Sequence, residues 1–239
     1  MTLNSTYNKT YQTLLRESEA NPTAAPRALQ GKELKDYLKG YRLGKVQRKL
    51  IVGSLLGDGS LTIPVGKHGV PRLVFEHTSD QFPYLWFKYW VFKDLGGRVP
   101  QLRKKPSTDG KLYQSYRWVS YRSSSFLFYF QQFYRMDALG QRRRQIPKLI
   151  HRWLTKEALS IWFQDDGMKV GPNTYVLNTQ AYRLQDHRIL QQALERNFGL
   201  GTSVHKNKGS YQLYICASSG ARFRQLILPY MVSCMMYKI

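Results

Sequence analysis

The chain has 239 residues, with 37 Lys and Arg against 15 Asp and Glu, a formal net charge of +22 at pH 7 and a pI near 10.1. Such an excess opposes compaction and points to a polyanionic partner, nucleic acid ahead of anionic membrane, because the basic residues lie among Tyr, Gln and Ser rather than along one amphipathic helix. Two cysteines, Cys216 and Cys234, exclude a disulfide framework and a cysteine-based zinc site, and no apolar run spans a bilayer, so a soluble chain without a targeting segment is expected.

Residues 1–44 are polar and broken at Asn21-Pro22 and Ala25-Pro26. They read as an N-terminal arm, either touching the partner's backbone or flexible, with a short helix over 31–39. From about Lys45 an apolar helix begins, with Val46, Leu50 and Ile51 at helical spacing and Gly53 and Gly57 four residues apart. Residues four apart share a face, so this one offers another helix an unusually close approach. The helix ends on Asp58-Gly59, and strand-like alternation follows over 60–63, then a turn over 64–71 and a second strand over 72–78. An aromatic helix over 82–95 is expected to stop at Gly96-Gly97 with a left-handed cap. Strands over 98–104 and 113–122, a helix over 123–134 and a basic connector, Arg142-Arg143-Arg144 to Pro147, complete the first half.

The second half repeats this order. Thr155 is placed as the N-cap of a helix ending at Asp165-Asp166-Gly167. A strand around Lys169, a turn at Gly171-Pro172-Asn173, a strand over 174–179 and a helix over 184–198 ending at Gly199 come next. Strands over 202–206 and 210–217 and a last helix over 221–228 follow. Weak local echoes, such as Tyr116-Arg117-Trp118 beside Tyr211-Gln212-Leu213, support an internal duplication.

Asp58 and Asp166 stand 108 residues apart, each at the C-terminal end of an apolar helix, where the helix dipole disfavours a carboxylate. One such aspartate is ordinarily a solvated cap; two at equivalent points, brought together by packing of the two helices, make a hard-oxygen site suited to Mg²⁺. Main-chain carbonyls at Gly57 and Asp165 are candidate further ligands, since glycine holds in the first helix the place that Asp165 holds in the second. Beside so basic a surface, this site suggests phosphodiester hydrolysis. The five histidines (His68, His77, His151, His187, His205) lack ligand spacing and read as surface or DNA-facing. Strand alternation lets Arg117 face DNA while Trp118 packs on helices, and Arg72, Arg98, Gln101, Arg103, Lys104, Lys206, Lys208, Gln212 and Tyr214 extend the reading surface.

Residues 51–59 and 159–167 resemble the two eponymous motifs of single-chain LAGLIDADG homing endonucleases, and the resemblance runs from about Lys45 to Lys238. In the second half Trp162-Phe163-Gln164-Asp165-Asp166-Gly167, Val176-Leu177-Asn178-Thr179-Gln180 and Met235-Met236-Tyr237-Lys238 are similar to the branch found in organellar intron reading frames. The resemblance implies an α+β fold of two αββαββα units related by a pseudo-two-fold axis, the motif helices packed at their interface and the antiparallel sheets forming a saddle for DNA. Residues 45–147 would be the first unit with its connector, and 148–239 the second. Asp58 and Asp166 would bind the metals; Lys238 and, in the first half, Arg144 match the basic position, and Gln180 and Ser79 the polar one. Two departures are Ile161 and Trp162, which replace smaller residues early in the second motif, and Lys238, which is the penultimate residue.

The function implied is site-specific, Mg²⁺-dependent cleavage of double-stranded DNA at a long asymmetric target by a monomer encoded within an organellar (chloroplast or mitochondrial) intron. An RNA-binding maturase acting on the host intron RNA, and a DNA-binding protein without catalysis, are the alternatives; two intact aspartates favour the enzyme.

Overall fold

The structure, a computed structural model, describes residues 6, 9–22, 28–63, 69–106, 112–207 and 209–239. The chain divides into two compact units, Met1–Arg48 with Gly59–Leu127, and Lys49–Asp58 with Phe128–Ile239. No helix among the described residues is long and apolar enough to cross a membrane.

In the first unit, α1 (Tyr11–Ala20) and α2 (Gly31–Gly40) precede α3 (Lys45–Leu56). The expectation of an arm over 1–44 is corrected at α1, while α2 has no buried residue. Tyr11 and Leu14 of α1 are buried, and Tyr11 meets Phe87 at 5.1 Å between ring centroids. Glu17 accepts from Trp90 Nε1 and the Asn21 carbonyl from Trp86 Nε1, so α1 lies on the aromatic helix α4 (Phe82–Phe92). The amphipathic signal of α1 spans under three turns and is diluted by Gln12, Thr13 and Arg16, which hides it in sequence. The first turn of α3 is fastened by the buried Gln47, whose amide donates to Tyr41 Oη and the Val91 carbonyl and accepts from the Gly44 amide.

β1 (Ser60–Thr62), β2 (Arg72–Thr78), β3 (Gln101–Pro106) and β4 (Leu112–Val119) form an antiparallel sheet in the order β1-β2-β4-β3. Its inner face packs Phe75 on Trp118 and Phe92, at 5.7 and 5.8 Å. Parts of both expected turns, 64–68 and 107–110, lie outside the described residues. The left-handed cap expected at Gly96-Gly97 is absent: Gly96 has φ −128°, and neither glycine has a positive φ. These glycines serve close approach instead. A Cβ on Gly96 would stand 2.7 Å from the Trp118 ring, and one on Gly97 would strike Tyr121 Oη.

The second unit starts with the last turns of α3, then α5 (Leu127–Phe133) from Phe128 onward. The expected connector is itself structured: β5 (Tyr134–Met136) pairs antiparallel with β6 (Arg142–Arg144). α6 (Lys156–Asp166) is capped by Thr155, whose hydroxyl accepts from the Ala158 amide. β7 (Gly167–Lys169), β8 (Tyr175–Leu177), β9 (Thr202–Asn207) and β10 (Ser210–Ile215) pair in the order β7-β8-β10-β9, the same topology as the first sheet. α7 (Leu184–Phe198) ends at Gly199, as expected, with that glycine in the left-handed region, φ 61°. α8 (Ala217–Ile227) and a 3-10 tail, Ser233–Lys238, close the chain.

The unit boundaries differ from 147/148, and helix packing is the reason. A Cβ on Gly53 would clash with the Ala158 carbonyl and lie 2.7 Å from Ile161 Cβ, so α3 beyond Arg48 is seated on α6. Lys49 Nζ to Glu157 Oε1, 2.6 Å, ties the same two helices.

Candidate functional site

The end of α3 meets the end of α6 inside the second unit. Gly57 makes room for Asp165: a Cβ there would overlap Asp165 Cβ. Asp165 is buried, and its Oδ2 accepts from the Asp58 amide at 3.3 Å. Asp58 is exposed and Asp166 half-buried. Burial first, then the Asp58 and Asp165 carboxylates, push Asp166 up to about 8, against the pull of Arg144 and Lys238. Three carboxylates and two cations therefore share one locus.

The cations are held in matching ways. Arg144 Nη1 donates to the Gly57 carbonyl at 2.6 Å; Lys238 Nζ donates to the Gln164 and Asp165 carbonyls at 2.7 and 3.2 Å. Strand β6 carries Arg144, and the 3-10 tail carries Lys238. The tail is fastened to α6 by Gln164, whose amide donates to the Tyr230 carbonyl and accepts from the Val232 amide. Both main-chain carbonyls expected as metal ligands, Gly57 and Asp165, thus accept a side-chain cation.

Sequence reading missed Tyr182. Its fully buried hydroxyl donates to the Leu55 and Leu56 carbonyls, at 3.1 and 3.2 Å, and accepts from Arg144. Burial raises the Tyr182 pKa, so it stays a neutral donor. Burial works against the charge of Arg144, but Tyr182, Tyr134 and Asp166 outweigh it and raise the Arg144 pKa. Only the position of Tyr182, just after Gln180, hinted at this role.

Among the described residues, Gln180 and Ser79 make their hydrogen bonds to groups other than the carboxylates. Gln180 is exposed with Nε2 3.4 Å from Asn178 Oδ1, and Ser79 Oγ lies 3.4 Å from the Gln114 carbonyl. His77 and His187, expected as surface or DNA-facing residues, are buried. His77 Nε2 lies 3.1 Å from Lys88 Nζ, tying β2 to α4, and His187 Nε2 lies 2.8 Å from Thr179 Oγ1, just past β8, and 3.3 Å from the Tyr211 carbonyl of β10.

The outer face of each sheet carries most of the expected reading residues. Gln101 faces Arg117 and Arg103 faces Ser115, on the side opposite Trp118. Arg98, Gln101 and Arg103 are exposed, and Arg72 donates to Thr62 Oγ1. Gln212 and Tyr214 share the outer face of β10. Lys104 and Lys206 pair with Gln114 and Tyr211, which alternate onto the helix-facing side, so neither joins the outer row. Lys208 lies outside the described residues. Glu76 and Asn178 belong to the row and were not foreseen, for lone polar residues in a strand carry no sequence signal of their own.

The repeated unit and its acidic helix ends place the chain among proteins built on two LAGLIDADG motifs. It belongs to the LAGLIDADG DNA endonuclease family, whose profile matches residues 48–223. It is 29% identical over 210 residues to DNA endonuclease I-ChuI of Chlamydomonas applanata, covering 82% of this chain and 95% of that protein. It is 27% identical over 197 residues to the cytochrome b mRNA maturase bI2 of Saccharomyces cerevisiae, covering 80% of this chain but only 46% of the maturase. The homing endonuclease I-WcaI bound to its DNA recognition sequence superposes with a TM-score of 0.79 at 24% identity, over 92% of this chain and 96% of that one. That likeness bears on the fold.

Proposed function

We propose that the protein is a site-specific endonuclease that hydrolyses both strands of a long, asymmetric DNA target with a divalent cation, Mg²⁺ the best match. The observation that carries this is the meeting of Asp58, Asp165 and Asp166 with Arg144 and Lys238 at two helix ends. The donor set fits such an ion: hard carboxylate oxygens, crowded enough that burial and mutual repulsion raise the Asp166 pKa. Asp58 and Asp166 would hold the ion. Once bound, it supplies Lewis acidity and an activated water. The protein's own groups do the rest. Arg144 and Lys238 present positive charge to the scissile phosphates, Tyr182 fixes Arg144, and the basic sheet faces hold the duplex in register. A single chain carries both motifs, so the protein acts as a monomer.

The test is cleavage of a randomised duplex library with Mg²⁺. We expect discrete products that disappear with a chelator and with Asp58→Asn or Asp166→Asn, while duplex binding survives. Cleavage unchanged in both variants would overturn the assignment.

Two relatives named as cytochrome b mRNA maturases, at 27% identity, favour RNA binding as a second reading. Host-intron RNA outcompeting specific duplex in a gel shift would rank it first. The relative named probable intron-encoded endonuclease 1 of Wickerhamomyces canadensis, 26% identical, supports a reading frame within an intron, which we place in an organelle.

A further inference from the structure

Registering the two sheets on each other exposes a matched pair of side-chain networks. Ser60 faces Val74 in the first sheet and Met168 faces Val176 in the second, and each of these positions follows its motif aspartate by two. Counting on, Phe75 faces Trp118 where Leu177 faces Leu213, so Glu76 corresponds to Asn178 and Arg117 to Gln212. Across the next pairing, Arg103 opposite Ser115 corresponds to Asn207 opposite Ser210.

At these three positions the first unit is ionic. Glu76 Oε1 accepts from Ser115 Oγ at 2.8 Å, and Glu76 Oε2 lies 3.7 Å from Arg103 Nη1 and 3.8 Å from Arg117 Nε. Arg117 Nε is buried and has no hydrogen-bond acceptor among the described residues. The second unit is neutral. Asn207 Nδ2 donates to Gln212 Oε1 at 2.8 Å, and Gln212 Nε2 donates to Asn178 Oδ1 at 2.7 Å, a chain of amides with exposed Asn207 at its outer end.

We propose that these networks give the two units different base preferences at equivalent points of the target, guanine for the first and adenine for the second. The inference rests on the DNA-cleaving reading above. Guanine offers two acceptors, N7 and O6, to a guanidinium; adenine offers an acceptor and a donor, which an amide matches with both its ends. Arg103 and Asn207 are the outermost members and meet the base; Arg117 and Gln212 stand behind them. Glu76 and Asn178 are positioning residues. The Glu76 carboxylate holds two like-charged guanidiniums side by side, and the Asn178 carbonyl fixes which end of the Gln212 amide faces Asn207. The acid is as specific to its unit as the amide is: Asn178 beside two arginines would leave their repulsion uncompensated.

The experiment is selection of bound duplexes from a randomised library, with Ca²⁺ replacing Mg²⁺, for the full chain and two exchange variants. One carries Glu76→Asn, Arg103→Asn and Arg117→Gln; the other carries Asn178→Glu, Asn207→Arg and Gln212→Arg. The first should change a guanine preference to adenine at one position of one half-site, by roughly fivefold or more, and leave the other half-site unaltered. The second should make the reverse change in the other half-site. Glu76→Gln alone should weaken the guanine preference, a readout that a purely structural carboxylate would not move. Enrichment of the same bases by the chain and both variants overturns the inference while the endonuclease reading stands. No enrichment by the unaltered chain sinks both.

Discussion

The ends of the two motif helices occupy equivalent places and are not alike. Gly53 and Gly57 on α3 correspond to Ile161 and Asp165 on α6, and in the structure each glycine faces its own counterpart. Equivalent residues meet about a local two-fold, so two large side chains at one such position would overlap and two glycines would leave a void. One small and one large residue fill the space. The difference between the helices, which in sequence looks like loss of symmetry, is what lets them approach. It also decides the chemistry: the side-chain carboxylate at this level comes from Asp165 alone, because Gly57 has yielded its space.

The strongest break in this comparison is at the motif aspartates, which the two halves share. Asp58→Asn and Asp166→Asn should each lower single-turnover cleavage by roughly a thousandfold, since several kcal/mol of metal-borne stabilisation is at stake. Asp165→Asn should cost less than either, because its Oδ2 is already occupied by the Asp58 amide. Equal losses for all three variants would mean that Asp165 is a third full partner.

The cations sharpen the comparison next. Arg144 and Lys238 touch corresponding main-chain carbonyls from unlike supports, a hairpin strand and a 3-10 tail. Arg144→Met and Lys238→Met should each slow cleavage by about a hundredfold, the usual loss for one transition-state donor. A probe cut in separate strands should show each variant slowing one strand more than the other. Equal slowing of both strands would argue that the cations act on the whole site.

The motif helices, their aspartates and the succession of helices and hairpins within each half are legible because they rest on local pattern: helical apolar spacing, turn residues and alternation. Arg144 and Lys238 enter the sequence reading only through the family resemblance, which implies a basic residue near the end of each half. The rest depends on contacts between distant residues. Tyr182 reaches the last carbonyls of α3 across 127 and 126 residues of chain. α1 becomes part of the core only because α4 exposes Phe87 and Trp90 to it. Gly96 and Gly97 are required by Trp118 and Tyr121, so their spacing alone suggested the wrong reason. Glu76 looked like an ordinary strand residue until the register set it between two arginines.

Gly57→Asp, which would make the two motifs agree in sequence, offers a direct test of the packing argument. The new Cβ would overlap Asp165 Cβ, so overpacking should cost about 1–3 kcal/mol, before the added repulsion of a further carboxylate. Asp165→Gly removes a clash-free side chain and should cost less. Chemical denaturation of both variants decides it; equal stabilities would show that the helices can slide apart.

The smallest effect lies one turn back, where Ser54 and Trp162 hold equivalent positions of the two helices. Both are completely buried, and Ser54 Oγ and Trp162 Nε1 are donors without an acceptor among the described residues. A buried unsatisfied donor costs about 1–3 kcal/mol, so replacing the donor by an apolar group of similar shape should return part of that. Ser54→Ala loses one oxygen and little volume, and should raise the unfolding free energy by up to about 1 kcal/mol. Trp162→Phe relieves the same defect but empties part of an indole site, and the cavity offsets the gain. The difference in denaturation midpoint between these variants separates the two terms. If Ser54→Ala is destabilising, the hydroxyl has a partner when the protein is in solution, and the equivalence of the two orphaned donors is coincidental.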